Sequence, residues 1–357
     1  MIGSKNNIRV LHAIHSLTGG GAERQLSIIA KNSKNYGVDS AVFCVSDETD
    51  DDSFDEVKIF SAKSKARINP RIFSELRKAI HTFRPNVVHV WLPSSMTIPA
   101  MMISRLAGAR VVFSYRNKMY FTRPITFVEY VVAWLCASKV ISNNTVQQST
   151  WWYRLLYRKK RGSVIFNAVN VPELERQDRI NDVIRFVSFG RLTKQKNYPV
   201  VLEAFSRIRH LDNWRYDIYG KGEDKGALLQ QLTTLGLSDR VAIHDYSKQI
   251  HSIIVNSDCL LFPSLWEGMP NVLIEAAALG LPAIVSNVPA NQNALAGLDM
   301  HFSWFDPNDS RQLTAAITAF IREPAEKISG DIRGEIMARF SVDSLMKKYS
   351  QEYRELV

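Results

Sequence analysis

Phe262-Pro263-Ser264-Leu265-Trp266-Glu267-Gly268-Met269-Pro270-Asn271-Val272-Leu273-Ile274-Glu275-Ala276-Ala277 sets two carboxylates, Glu267 and Glu275, eight positions apart across the start of a helix. Pro270 fits the first turn, where a missing N–H costs nothing. Val272, Leu273, Ile274 and Ala276 supply the apolar face. Eight residues of helix rise about 12 Å, roughly the reach from a sugar, across a diphosphate, to a ribose. The free N–H groups and partial positive charge of a helix start favour an anion between the two acids. The order hydroxyl acceptor, anion cradle, hydroxyl acceptor outlines a nucleotide-sugar site. A surface helix with two solvated acids fits the same spacing.

Outward from this stretch, short apolar runs alternate with helical periodicity. In the second half, strands are expected at 184–190, 215–219, 241–244, 259–263 and 283–286, with helices between them and at 309–321. The first half repeats the theme, with strands at 8–17, 40–45, 86–92, 110–114 and 140–143 and helices at 22–31, 72–83, 96–106 and 145–156. Near-continuous apolar strands between helices predict parallel sheets covered on both faces. The run 125–140 is the most apolar, but it carries Glu129 and Lys139 and reads as a buried element, not a membrane span. The polar stretch after residue 170 reads as a linker.

Three segments, in order, resemble family four of the retaining glycosyltransferases with the GT-B fold. The two-glutamate segment is similar to the family's E-G-[FLM]-x5-E signature and continues through Glu275, Ala276, Ala278, Gly280 and Pro282 into Ala283-Ile284-Val285-Ser286. Phe186-Val187-Ser188-Phe189-Gly190-Arg191-Leu192-Thr193-Lys194-Gln195-Lys196-Asn197 resembles its strand followed by G-R-x4-K-[GN]. Leu17-Thr18-Gly19-Gly20-Gly21-Ala22-Glu23-Arg24 resembles its G-G-A-E opening. The resemblance implies an α/β chain of two Rossmann-like domains facing across a cleft: residues 1–170 for the acceptor, a linker at 171–183 and residues 184–340 for the nucleotide-sugar donor. A final helix at 341–357 would cross back to the first domain.

The resemblance also implies roles. Arg191 and Lys196 would contact the donor diphosphate, where cations stabilise the charge that grows as the nucleotide leaves. Glu267 would lie by the sugar hydroxyls and complete the catalytic set, although no residue obliges it to act as a general base. Glu275 would hold the ribose. Gly268, Met269 and Asn271 would line sugar and phosphate with backbone N–H groups, and Gly190, Gly19, Gly20 and Gly21 would allow close backbone approach. The glycine run also reads as a plain tight turn. Many family members place a histidine after the strand at 110–114; Arg116 stands there instead, which leaves that loop's contact with donor, acceptor or neither open. Tyr219-Gly220-Lys221-Gly222-Glu223 reads as a loop former at the cleft.

The 357 residues carry a net charge of +10, of which residues 1–180 supply +12 and residues 181–357 supply −2. A basic first half calls for an anionic partner. The stretch 115–162 interleaves bases with Tyr120, Phe121, Trp151, Trp152, Tyr153 and Tyr157, which suits an anionic membrane surface and a lipid-linked or glycan acceptor. No nucleic-acid module is recognisable, so nucleic acid is not expected as a partner. Three scattered cysteines fit reduced thiols, and the first residues lack a signal-peptide pattern. The expected place is the cytoplasm, on the inner face of the membrane. Asp50-Asp51-Asp52 reads as a solvated loop, and neither metal nor other cofactor is expected. The donor is expected to be uridine-linked by analogy alone. A GT-B epimerase or phosphorylase, or a basic nucleic-acid binder, is the alternative. A dinucleotide dehydrogenase is disfavoured because no G-x-G-x-x-G opens the first helix.

Overall fold

A computed structural model describes residues 8–18, 21–46, 54–64, 69–116, 124–145, 161–176, 182–298, 300–325 and 331–357. Gly19, Gly20, the Asp50–Asp52 loop, the bases and aromatics of 117–123 and most of the helix expected at 145–156 lie outside these residues. The chain divides into two compact units, Met1–Ala168 with Val342–Val357, and Val169–Ser341.

The first unit holds seven strands, β1 (Ile8–Ile14), β2 (Val38–Cys44), β3 (Lys58–Ser61), β4 (Val87–Trp91), β5 (Arg110–Tyr115), β6 (Lys139–Ser142) and β7 (Gly162–Val164), in the order β3-β2-β1-β4-β5-β6-β7. Every pairing is parallel. Successive strand side chains point to opposite faces, and both faces are covered. Leu11 and Ala13 join a core with the helices Pro70–Phe83, Thr97–Leu106 and Pro124–Cys136. Val10 and Ile14 join another with the helix Gly21–Asn32 and the terminal helix Val342–Arg354. Buried Gln25 closes this unit by donating to the Ala168 carbonyl and accepting from its N–H, both at 2.8 Å.

The second unit holds β8 (Ile184–Phe189), β9 (Trp214–Tyr219), β10 (Val241–His244), β11 (Cys259–Phe262), β12 (Ala283–Ser286) and β13 (Phe302–Phe305), in the order β10-β9-β8-β11-β12-β13. These pairings are parallel too. In each sheet the order reverses once, between β1 and β4 and between β8 and β11. Ligands of open parallel sheets bind outside the carboxyl ends of the strands at such a reversal.

Three expectations need correction. Pro270 is the N-cap residue and the helix begins at Asn271; a proline fits there because the cap contributes its carbonyl, which accepts from Ile274 N at 3.1 Å. Gly21 belongs to the helix Gly21–Asn32, not to the turn before it. The apolar run at 125–140 is buried on one side only, through Tyr130, Ala133, Ala137 and Val140. Its helix leaves Phe127, Val128, Trp134 and Leu135 exposed and turns its charged residue, Glu129, inward. Hydropathy counts apolar residues without saying which face they occupy, and here apolar side chains line both the core face and the outward face.

Candidate active site

The two strongest motifs follow the two strands at the second unit's reversal. β8 runs straight into Gly190 and Arg191, and β11 into Pro263–Pro270. A short 3-10 turn, Lys194–Lys196, brings the first loop against the second. Leu265 N donates to the Gln195 carbonyl at 2.9 Å, and Gln195 Nε2 donates to the Trp266 carbonyl at 2.9 Å. Asn197 spans the same gap, donating to the Pro263 carbonyl at 3.3 Å and the Pro307 carbonyl at 2.7 Å. Its φ is +54°, a left-handed conformation open mainly to Gly and Asn. That is the physical reason for Gly or Asn after the lysine of the motif.

Between the loops Lys196 Nζ lies 2.7 Å from Glu267 Oε1, with both side chains mostly buried, and 4.9 Å from the centre of the Phe262 ring. The sequence reading gave these residues separate ligands, and the structure pairs them with each other. A lysine carries three donors, so one can hold Glu267 while others remain for an anion. Gln195 Nε2 stands 3.4 Å from the other Glu267 oxygen. Arg191 is exposed and reaches the group through Gln195 Oε1 at 3.5 Å. Both expected cations therefore belong to the Glu267 segment, Lys196 tightly and Arg191 at its rim.

Glycine is required where these loops touch their neighbours. Gly190 has φ +150°, and a Cβ there would meet Lys196 Cε at 2.7 Å. A Cβ on Gly220 would meet the Gly190 carbonyl oxygen at 1.9 Å, and one on Gly222 the Leu192 carbonyl oxygen at 2.2 Å. The loop after β9 is thus a former of the Gly190–Leu192 loop, held by Leu192 N donating to Lys221 O at 2.9 Å. Beneath Gly190 lies the buried Tyr198 hydroxyl. Burial first, then Tyr216 and Glu267 nearby, push its pKa well above the usual value, so it stays neutral.

The helix Asn271–Ala278 opens directly after Glu267, Gly268 and Met269, with Asn271 N donating to the Met269 carbonyl at 3.0 Å. Glu275 is only 1% exposed on this helix, with His251 Nε2 3.5 Å from Oε2. The loop after β11 is propped from below. Ser286 Oγ donates to the Ser264 carbonyl at 2.7 Å and accepts from Asn291 Nδ2 at 3.1 Å. Sequence reading missed Gln195, Asn197, Tyr198, His251, Ser286 and Asn291 as parts of this site. Gln195 and Asn197 had a usable signal, since they flank Lys196 within the motif. The others lie on different elements, and only the fold brings them near.

Arg116 is in the first unit and turns inward, 6% exposed. Its guanidinium donates to Asn167 Oδ1 at 2.5 Å and Tyr349 OH at 2.8 Å and stacks over Trp91 at 4.4 Å. It ties the terminal helix to the carboxyl end of β5.

Comparison with known proteins shows the family and the fold. The pattern described as Glycosyltransferase Family 4 matches residues 19–173, and that described as Glycosyl transferases group 1 matches residues 171–332. The chain belongs to family four of the glycosyltransferases. This glycosyltransferase is 37% identical over 263 residues to an uncharacterized glycosyltransferase of Methanocaldococcus jannaschii, covering 64% of each chain. It is 26% identical over 308 residues to the UDP-Gal:alpha-D-GlcNAc-diphosphoundecaprenol alpha-1,3-galactosyltransferase of Escherichia coli, covering 79% of this chain and 78% of that one. Among solved structures, Anabaena HepE in complex with UDP and glucose matches with a TM-score of 0.82 at 18% identity, over 97% of this enzyme and 99% of HepE. The fold is GT-B, with two Rossmann-like domains of seven and six parallel strands.

Proposed function

We propose that this glycosyltransferase moves a sugar from a uridine-diphosphate donor to a lipid-linked or polysaccharide acceptor, with retention at the anomeric carbon and without a metal, in the assembly of a cell-surface glycan. The carrying observation is the Lys196–Glu267 pair at the carboxyl ends of β8 and β11, beside the start of the helix Asn271–Ala278. There Lys196, Arg191 and the helix N–H groups would face the leaving diphosphate, the task a cation performs in other phosphoryl chemistry. Glu267 would accept from the sugar hydroxyls, and Gly268, Met269 and Asn271 would add backbone donors. Front-face substitution, in which the departing phosphate helps take the acceptor proton, needs no further base. A uridine donor and a lipid-linked acceptor are supported by relatives: HepE was solved with UDP, and the Escherichia coli relative's name carries UDP-Gal and a diphosphoundecaprenol acceptor. The basic first half suits an acceptor at an anionic membrane face, and no helix among the described residues is long and apolar enough to cross a membrane.

The test is a donor-depletion screen with several nucleotide sugars and a membrane lipid extract, reading released nucleoside diphosphate with and without chelator. The anomeric configuration of the product is then assigned by NMR. An inverted product removes the retaining reading, and loss of turnover in chelator removes metal independence. Glu275→Ala is expected to weaken UDP binding by about tenfold, the scale of one lost hydrogen bond to a charged group. Unchanged affinity by calorimetry would take Glu275 out of the ribose site.

A further inference from the structure

The helix Pro124–Cys136 departs from the ordinary amphipathic plan. Between Phe127 and Cys136 its only charged residue is Glu129, which is 5% exposed. The outward face carries Phe127 and Trp134, and Val128 and Leu135, each pair two turns apart and so on one side. The neighbouring helix Thr97–Leu106 packs against it and adds Met102 and Leu106, one turn apart. Leu106 is 86% exposed and Leu135 66%. The two helices meet near their ends: burial raises the Cys136 thiol, and Arg105 partly offsets that rise. A soluble protein rarely gathers this many large apolar side chains on adjoining helices without a partner.

Charge says which partner. Arg105 lies within this face and exposed Arg110 opens the strand that follows. In the sequence Arg123 directly precedes the helix and Lys118 stands six residues before it. The half of the chain that contains the face holds +12 of charge, while the other half is slightly negative. An apolar face with a Trp, rimmed by arginines and lacking any outward carboxylate between Phe127 and Cys136, has the chemistry of a surface that lies in the interface of an anionic bilayer. We propose that the helices Thr97–Leu106 and Pro124–Cys136 form the membrane-docking face of this glycosyltransferase, seating Met102, Leu106, Val128, Trp134 and Leu135 among acyl chains and their arginines at phosphate headgroups. This rests on the membrane-acceptor reading above and adds the surface that meets the bilayer.

The experiment is co-sedimentation of the full chain with vesicles of phosphatidylcholine alone or mixed with phosphatidylglycerol. The wild type is expected to bind the anionic vesicles and to lose part of that binding in high salt. Leu106→Glu combined with Leu135→Glu is expected to lower the partition coefficient by at least about tenfold, since two side chains that would enter the acyl region become charged. Leu229→Glu, at an exposed apolar position in the second unit, is expected to bind as the wild type does. Leu106→Ser alone serves as the milder variant if the double one melts early. Undiminished binding by the Leu106 and Leu135 variants, or absence of wild-type binding to anionic vesicles, overturns the proposal. So does a wild-type dimer, seen by light scattering, that the double variant dissociates, because a second copy would then be the occupant. Vesicle binding without transfer to any lipid-linked acceptor keeps the docking face and removes the acceptor reading; transfer in detergent without vesicle binding does the reverse.

Discussion

Beside the β1/β4 reversal of the first unit, His12, His89, Trp91, Ser114, Arg116, Asn167, Tyr349 and Tyr353 form a buried polar group; beside the β8/β11 reversal of the second, Lys196, Glu267, Gln195 and Arg191 form a partly exposed one. The first finds most of its partners within itself, with Arg116 Nε the exception. His89 Nδ1 lies 2.7 Å from Tyr353 OH, its Nε2 2.7 Å from Ser114 Oγ, and Trp91 donates to His12 Nδ1 at 3.2 Å. Burial lowers the pKa of His12 to about 3 and, with His12 and Arg116 adding to it, holds His89 well below its ordinary value. Both stay neutral. The second group is different in kind, because Arg191 faces water and Lys196 keeps donors beyond its one carboxylate. Similar sheets thus hold one polar cluster that latches the terminal helix and one that remains open to an anion.

Lys196→Ala breaks the comparison most sharply. Turnover is expected to fall by about 10²-fold or more, the cost of removing one group aimed at developing charge, beyond any loss of stability from leaving Glu267 without its cation. Near wild-type turnover would make the second cluster structural like the first. Arg116→Ala should do the opposite, costing about 2–4 kcal/mol of stability by denaturant titration, because Asn167, Tyr349 and the Trp91 face lose a buried charged partner. Arg116→Lys should rescue little of it, since one ammonium cannot reproduce a planar fork. If the alanine variant keeps its stability and loses turnover, Arg116 belongs to the substrate site.

The two histidines sharpen the contrast through pH. Their folded pKa values lie below the unfolded value of 6.5, so the unfolded chain binds more protons in that range. Their contribution is whole above about pH 6.5 and falls as pH drops toward 3. Thermal melts should show the first unit losing stability over that window, and His12→Gln should flatten the loss. A pH-independent melt between 6.5 and 4 would mean the cluster is not sealed. The smallest effect is expected at Glu129, whose carboxyl burial raises to about 7, with a hydrogen bond from the Ser94 backbone opposing. Here the folded state holds its proton longer, so stability falls as pH rises past 4.5 toward 7. Glu129→Gln should stabilise the protein slightly at pH 8 and hardly at pH 4; an equal effect at both would show that the carboxyl stays ionised in the fold.

Much of the architecture was legible because period and composition are local. Val241–His244 and Ala283–Ser286 were readable to the residue, since each is a short apolar run between turn signals. The Lys58–Ser61 edge strand was not, because half its side chains are exposed and its residues lack a buried strand's pattern. At the site, Lys196, Glu267 and Glu275 could be named from motifs, while His251 could not, because nothing near it in sequence refers to Glu275.

The sequence by itself determined two parallel α/β sheets, the loops that would carry chemistry and the basic half of the chain, all of which follow from residue type and short spacing. Only the tertiary structure decided that Lys196 grips Glu267, that Arg116 turns inward to Tyr349, and that the most apolar helix leaves one apolar side to solvent. Those outcomes depend on which distant elements pack together, and a side chain's direction is set by its neighbours in space, not by its neighbours in the chain.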